Sequence, residues 1–178
     1  MILLSAVVVL GVLSSLRFQS AGWPRFLTPA LHRNLALMML VFLTLHIVTA
    51  VVDPFTHLGW LAAFIPFSSY YRTLWLGLGT IAFELLAAIV VTSLLRNAIG
   101  QAAWRLIHWL AYASWPVAVI HGFGTGTDAR SAWFVALSIG CIVSVTIAIV
   151  YRLLQPPADP LASARGEFRA GISRRPNQ

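Results

Sequence analysis

The sequence predicts an all-α integral membrane bundle of five transmembrane helices, and three observations carry that reading. The 178 residues are 59% hydrophobic and only 10% charged, against about 25% charged in an ordinary soluble domain, so a water-facing surface cannot be assembled from them. The apolar residues gather into long runs, and the mean hydropathy is +0.83. All twelve cations are arginines and the net charge is +7; in so apolar a chain this balance reads as membrane topology rather than a grip on phosphates. Together these features exclude a soluble globular enzyme, a disordered chain and a nucleic-acid-binding protein. The lone Cys141 sits inside an apolar run, which excludes an internal disulfide or a cysteine metal cluster.

Crossing the hydrocarbon layer takes about 20 mostly apolar residues, and five stretches meet or approach that length: 1–16, 34–52, 73–95, 103–123 and 132–154. The first is short. It lacks the leading positive charge and the small-residue cleavage site of a secretory signal, so it is expected to be a retained span. Gly22, Pro24 and Pro29 punctuate 17–31, and Asp53, Pro54 and Pro66 punctuate 53–72. Within the latter, 54–67 is apolar but interrupted; with Trp60, Phe64 and Phe67 it reads as an interfacial helix or lid on the outer surface. Residues 96–102 are a short polar link, and 122–131 are rich in Gly and Thr. Residues 1–154 form the membrane domain, and 155–178, rich in Pro and Arg, are expected to form a flexible basic cytoplasmic tail.

Orientation follows from the arginines. With five spans, one side of the membrane collects Arg17, Arg25, Arg33, Arg96, Arg105, Arg152, Arg165, Arg169, Arg174 and Arg175. The other collects Arg72 and Arg130, beside Asp53 and Asp128. The positive-inside rule then places the N-terminus outside and the C-terminus in the cytoplasm.

Ionisable residues within spans are costly and usually functional. Four of the five histidines fall on two predicted helices: His32 and His46 on the second, His108 and His121 on the fourth, 14 and 13 residues apart. Each separation is about 20 Å along a helix, too far for the histidines of one helix to share a metal ion. Both helices run the same way, so His32 faces His108 near the cytoplasmic side and His46 faces His121 near the outer side. Two bis-histidine sites stacked across a membrane are what a pair of b-type haems requires, with one axial imidazole from each helix. At 100° per residue, 14 residues fall about 40° short of four turns, so His32 and His46 share a face. Thirteen residues fall about 140° short, so His108 and His121 need a distortion, which Pro116 between them permits.

Other residues are open to two readings. Arg33 and Arg105 flank the inner pair and suit haem propionates, or serve simply as topology anchors. Glu84, mid-span in the third helix, is placed to relay protons or to make an interhelical hydrogen bond. Gly11, Gly77 and Gly79 allow close approach of a macrocycle or a helix. Trp104, Trp109 and Trp115 surround the His108 helix, and His57 in the outer loop reads as a surface residue.

The stretches Leu31-His32-Arg33, Leu45-His46, Ile65-Pro66-Phe67, Trp104-Arg105-Leu106-Ile107-His108 and His121-Gly122 resemble, in that order, the ferric reductase-like transmembrane domain superfamily. That superfamily includes ferric reductases, NADPH oxidases and the haem-binding membrane subunit of the bacterial methionine sulfoxide reductase system. The resemblance covers about residues 3 to 154, with the four-histidine spacing as its most specific element. It implies a five- or six-helix bundle passing electrons from the cytoplasm to an acceptor at the outer face. By the same resemblance His32 and His108 ligate an inner haem b iron, and His46 and His121 an outer one. The 122–128 segment is similar to that of short bacterial members, which implies a multi-pass protein of the bacterial plasma membrane. Ferric reductases and NADPH oxidases continue into a flavin and nicotinamide domain, whereas about 24 residues follow the last span here, without a glycine-rich dinucleotide fingerprint. No flavin or NAD(P) is therefore expected on this chain. Its expected partners are membrane lipid, a separate donor (a flavin reductase or a quinol) and a small or protein acceptor outside the cytoplasm. Whether it is itself an enzyme stays open. The alternatives are a haem-binding anchor feeding a separate extracytoplasmic reductase, and a haem-free transporter or structural membrane protein.

Overall fold

A computed structural model describes residues 1–155 except 17, 21 and 57. Arg17, His57 and the basic tail from 156 onward lie outside the described residues. Among those described, the chain is all-helical apart from an isolated bridge between Ser20 and Trp23.

The helices are α1 (Ile2–Ser15), α2 (Leu27–Val52), α3 (Thr73–Leu94), α4 (Arg96–Ile99), α5 (Gln101–His108), α6 (Ala111–Thr125) and α7 (Ala132–Leu154), with a 3₁₀ turn at Trp60–Ala63. Three of them, α2, α3 and α7, are long and apolar enough to cross a membrane, while α1 is a shorter apolar helix. The second predicted span begins earlier than its apolar run, because Leu27 to Arg33 continue the same helix. Trp23 fixes that start by donating its indole N–H to the buried Thr28 hydroxyl at 2.7 Å. The helix stops at Asp53, whose carboxylate accepts the Phe55 N–H at 2.9 Å across Pro54.

Chain direction alternates through the bundle. Residues near Met1 meet Ser138 of α7, and Ser15 at the other end of α1 accepts a bond from Arg152 at 3.0 Å. Hence α1 and α7 are parallel. α2 returns along α1, α3 packs antiparallel to α6, and α2 and α6 run in the same direction. Val7, Met39, Leu86 and Ile89 form an apolar core where α1, α2 and α3 meet, with Leu110 and Ala111 packed against it. α2 packs on α1 and the 3₁₀ turn but not closely on α3, α5 or α6. A gap therefore runs between α2 and the α5–α6 side of the bundle.

The fourth predicted span is divided. Between α5 and α6 the ladder tightens to i→i+3 bonds, from Leu110 N to Ile107 O (2.9 Å), Tyr112 N to Trp109 O (3.0 Å) and Ala113 N to Leu110 O (3.0 Å). The distortion expected near Pro116 thus falls in the turn before it. A proline removes the donor that its i−4 carbonyl needs and presses its ring on that carbonyl; here that residue is Tyr112, at the edge of the tightened segment. A 3₁₀ residue turns about 20° more than an α-helical one. About four such residues recover roughly 80° of the missing rotation between His108 and His121, and in the required sense.

Candidate functional site

The four histidines line the gap in two pairs. His32 of α2 lies opposite His108 of α5, with ring centroids 6.3 Å apart and planes at 65°. His46 of α2 lies opposite His121 of α6, at 6.2 Å and 76°. The 14 residues between His32 and His46 set the two levels about 21 Å apart along α2. Met39, buried in the apolar core, lies seven residues from each histidine on α2, so packed hydrocarbon separates the levels.

One imidazole of each pair is held by a backbone carbonyl. His32 Nδ1 is 2.9 Å from the Val7 oxygen, and His121 Nδ1 is 2.8 Å from the Trp75 oxygen. A carbonyl only accepts, so in both rings Nδ1 carries a proton, which leaves Nε2 as the nitrogen that can act as an acceptor or ligand. That second-partner arrangement orients metal-ligating histidines generally. The carbonyls themselves are invisible to motif reading, since any residue could supply them. Glycine spacing gives a partial signal. A Cβ on Gly11 would stand 3.2 Å from His32 Cε1, and one on Gly79 would stand 2.5 Å from His121 Cε1. These two glycines admit imidazole rings.

Around the His32–His108 level, Trp104 lies against His108 with centroids 4.9 Å apart, and its indole N–H donates to Ser93 Oγ at 3.2 Å. His108 Nδ1 is buried with no hydrogen-bond partner. Arg33 and Arg105 sit beside this level in sequence, and both are exposed. Trp109 lies under the Arg152 guanidinium, 4.8 Å from its ring centre. Trp115 instead donates to Ser5 Oγ at 2.9 Å, tying α6 to α1.

The His46–His121 level opens into a cavity of about 700 Å³, lined by both rings and by Phe42, Gly79, Phe83 and Leu86 among others. Leu58 and the 3₁₀ turn line one edge of it, and Thr80 holds that turn by donating to the Ala62 carbonyl at 2.8 Å. The Arg72 guanidinium donates to the Gly124 carbonyl at 2.7 Å, fixing the end of α6 just beyond His121. The Trp75 ring rests directly on Gly124. The expected outer lid is thus a short turn latched to α3, and its Phe67 adopts a left-handed φ of 61° with its ring against Gly77.

No family model, curated protein or solved structure matches this chain. The chemistry of the site therefore rests on its own geometry. Among the described residues no group of three or more His, Cys, Asp or Glu side chains gathers as a metal cage. Each level therefore offers two facing imidazoles and, among the described residues, no third His, Cys, Asp or Glu side chain beside them.

Proposed function

We propose that this chain is a dihaem b-type cytochrome that carries single electrons across a membrane. The observation that supports it is the pairing itself: His32 faces His108 and His46 faces His121 at two levels of one slot, with ring centroids 6.3 and 6.2 Å apart. That is the ordinary spacing of edge-to-face rings, as in Phe55–Tyr71 at 6.4 Å and Phe64–Phe83 at 6.1 Å, and it is also compatible with both imidazoles reaching one metal. The slot between α2 and the α5–α6 side and the apolar cavity at one level fit the same reading.

On this reading His32 and His108 hold an inner haem b, and His46 and His121 an outer one. Haem b supplies a site that accepts and releases one electron. The chain's own residues do the rest. Val7 and Trp75 carbonyls hold the Nδ1 protons of His32 and His121 and leave Nε2 of each ring to bind the haem. Two histidines held to each haem would suit it to electron transfer rather than to binding a substrate at the metal. Met39 and Leu86 set apolar side chains between the levels, and the bundle would divide the membrane thickness into shorter steps.

The five-span bundle with its N-terminus outside belongs to this proposal. Alternating helix directions support it, as does the gathering of Arg25, Arg33, Arg96, Arg105 and Arg152 toward the His32–His108 end, with Arg72 and Arg130 at the other. Electrons would enter at the arginine-rich cytoplasmic end from a flavin reductase or a quinol. They would leave for an acceptor beyond the opposite face of a bacterial plasma membrane.

The test is a dithionite-reduced minus oxidised spectrum of the purified protein, with haem quantified as pyridine haemochrome. We expect about two b-type haems per chain, falling to about one in His46→Ala. A haem-replete preparation with no Soret or α-band signal overturns the proposal.

A further inference from the structure

Glu84 stands at the midpoint of α3, about 16 Å from either end of the helix. Its neighbours Phe83 and Leu86 line the cavity and Ala82 is buried, whereas Glu84 itself is exposed on the outside of the bundle and off the cavity wall. It therefore has no route to either histidine pair as a proton relay. A carboxyl group at mid-membrane depth facing hydrocarbon is costly, and such groups are almost always found paired.

Among the described residues Glu84 meets no mate. The central turns of α2, α3 and α7 contain no arginine, and the sequence contains no lysine. A second copy of the chain has no basic group at that depth either: it would bring another carboxyl, whose one bond to Glu84 is a shared proton, whereas a basic side chain pairs with the charged form. The surface around Glu84 is shaped for a helix. Ala87 and Ala88, three and four residues on, share its face and are small, and Val91 one turn further is exposed. Small residues beside a polar group are how transmembrane helices approach closely and hydrogen-bond.

We propose that the Glu84 face of α3 docks a transmembrane helix of a different protein, one that presents a cationic or strong hydrogen-bond donor side chain (Lys, Arg or His) at mid-depth. This does not depend on the haem reading.

The test places a photoreactive benzoylphenylalanine at Val91 and irradiates native membranes, with the cross-linked peptide identified by mass spectrometry. The expected adduct joins Val91 to a transmembrane segment of another protein carrying a basic residue near its centre. Its yield should fall roughly tenfold in Glu84→Leu and less in Glu84→Gln. Glu84→Lys should abolish it, and replacing the partner's basic residue with Glu should restore it. An adduct between two copies of this chain, adducts to lipid alone, or an undiminished yield in Glu84→Leu would each overturn the proposal. The haem spectrum of every variant reports the histidine pairs separately, so lost docking is distinguishable from a collapsed bundle.

Discussion

Replacing Gly79 with alanine sets a methyl group against the imidazole of His121. The new Cβ would lie 2.5 Å from Cε1, 2.6 Å from Nδ1 and 3.0 Å from Nε2, whereas carbon contacts settle near 3.5 Å or beyond. The ring must retreat from α3 by roughly 1 Å. It is anchored to the same helix, through the 2.8 Å bond from Nδ1–H to the Trp75 carbonyl one turn earlier. The retreat stretches that bond to about 3.6 Å or more, where it no longer counts as a hydrogen bond. The loss is about 1 kcal/mol, and alanine's better helix propensity returns about as much. Overall thermal stability should then change little, while Nε2 loses its aim. Loss of such an orienting partner typically weakens metal binding 10- to 100-fold, as an order-of-magnitude figure. The assay is haem per chain by pyridine haemochrome together with a redox titration: about two haems should become about one, and one midpoint component should vanish. Gly140→Ala is the control, since nothing lies within 4 Å of its Cβ. Two haems with unchanged midpoints in Gly79→Ala, or equal loss in Gly140→Ala, would refute the reasoning.

Trp104→Ala removes the ring packed on His108 and the bond to Ser93; on the proposed reading it should shift the spectrum and midpoint of the haem at the His32–His108 level only, as seen by potentiometric titration. Thr80→Val keeps the shape of a buried side chain but leaves the Ala62 carbonyl without its donor. The expected cost is about 1–2 kcal/mol, read as a lower Tm in detergent, with faster hydrogen exchange confined to the 3₁₀ turn. Pro116→Ala restores a donor to Tyr112 and should let the tightened segment relax toward α-helix. Because relaxation turns His121 away from α2, haem occupancy of the outer pair should drop even though the helix itself becomes more regular.

Much of this architecture is legible in the sequence because membrane helices obey coarse constraints. Apolar run length locates α2, α3 and α7, and histidine spacing with helix direction pairs His32 with His108 and His46 with His121. The start of α2 is harder to see, since Leu27 to Arg33 are less apolar than residues 34–52 and continue the helix through backbone bonding rather than composition. Arg72 reads from sequence only as an outer-face cation; that its guanidinium latches Gly124 depends on the left-handed backbone at Arg72, with φ of 44°, which no local pattern announces. Glu84 is the reverse case. Its depth is plain from the sequence, but which side of α3 it occupies depends on how α3 packs on α6, and that is set by long-range contacts.

The phase of the fourth span shows how a local irregularity can follow from a distant requirement. A regular helix through 101–125 would turn His108 and His121 about 140° out of register, so only one of them could meet α2. Tightened bonding at 107–113 corrects most of that rotation, yet 3₁₀ geometry is poorer than α-helical geometry and this segment has little local reason to adopt it apart from Pro116. What it gains is a second facing pair, with a centroid spacing within 0.1 Å of the first. Edge-to-face rings elsewhere in the chain, Phe55–Tyr71 and Phe64–Phe83, stand 6.4 and 6.1 Å apart, so the common spacing is what ring packing gives. What packing alone does not require is that both contacts be histidine on histidine, reached on one level by an undistorted α2 and a kinked α5–α6; the pairing, rather than the distance, is what the proposed haem ligation accounts for.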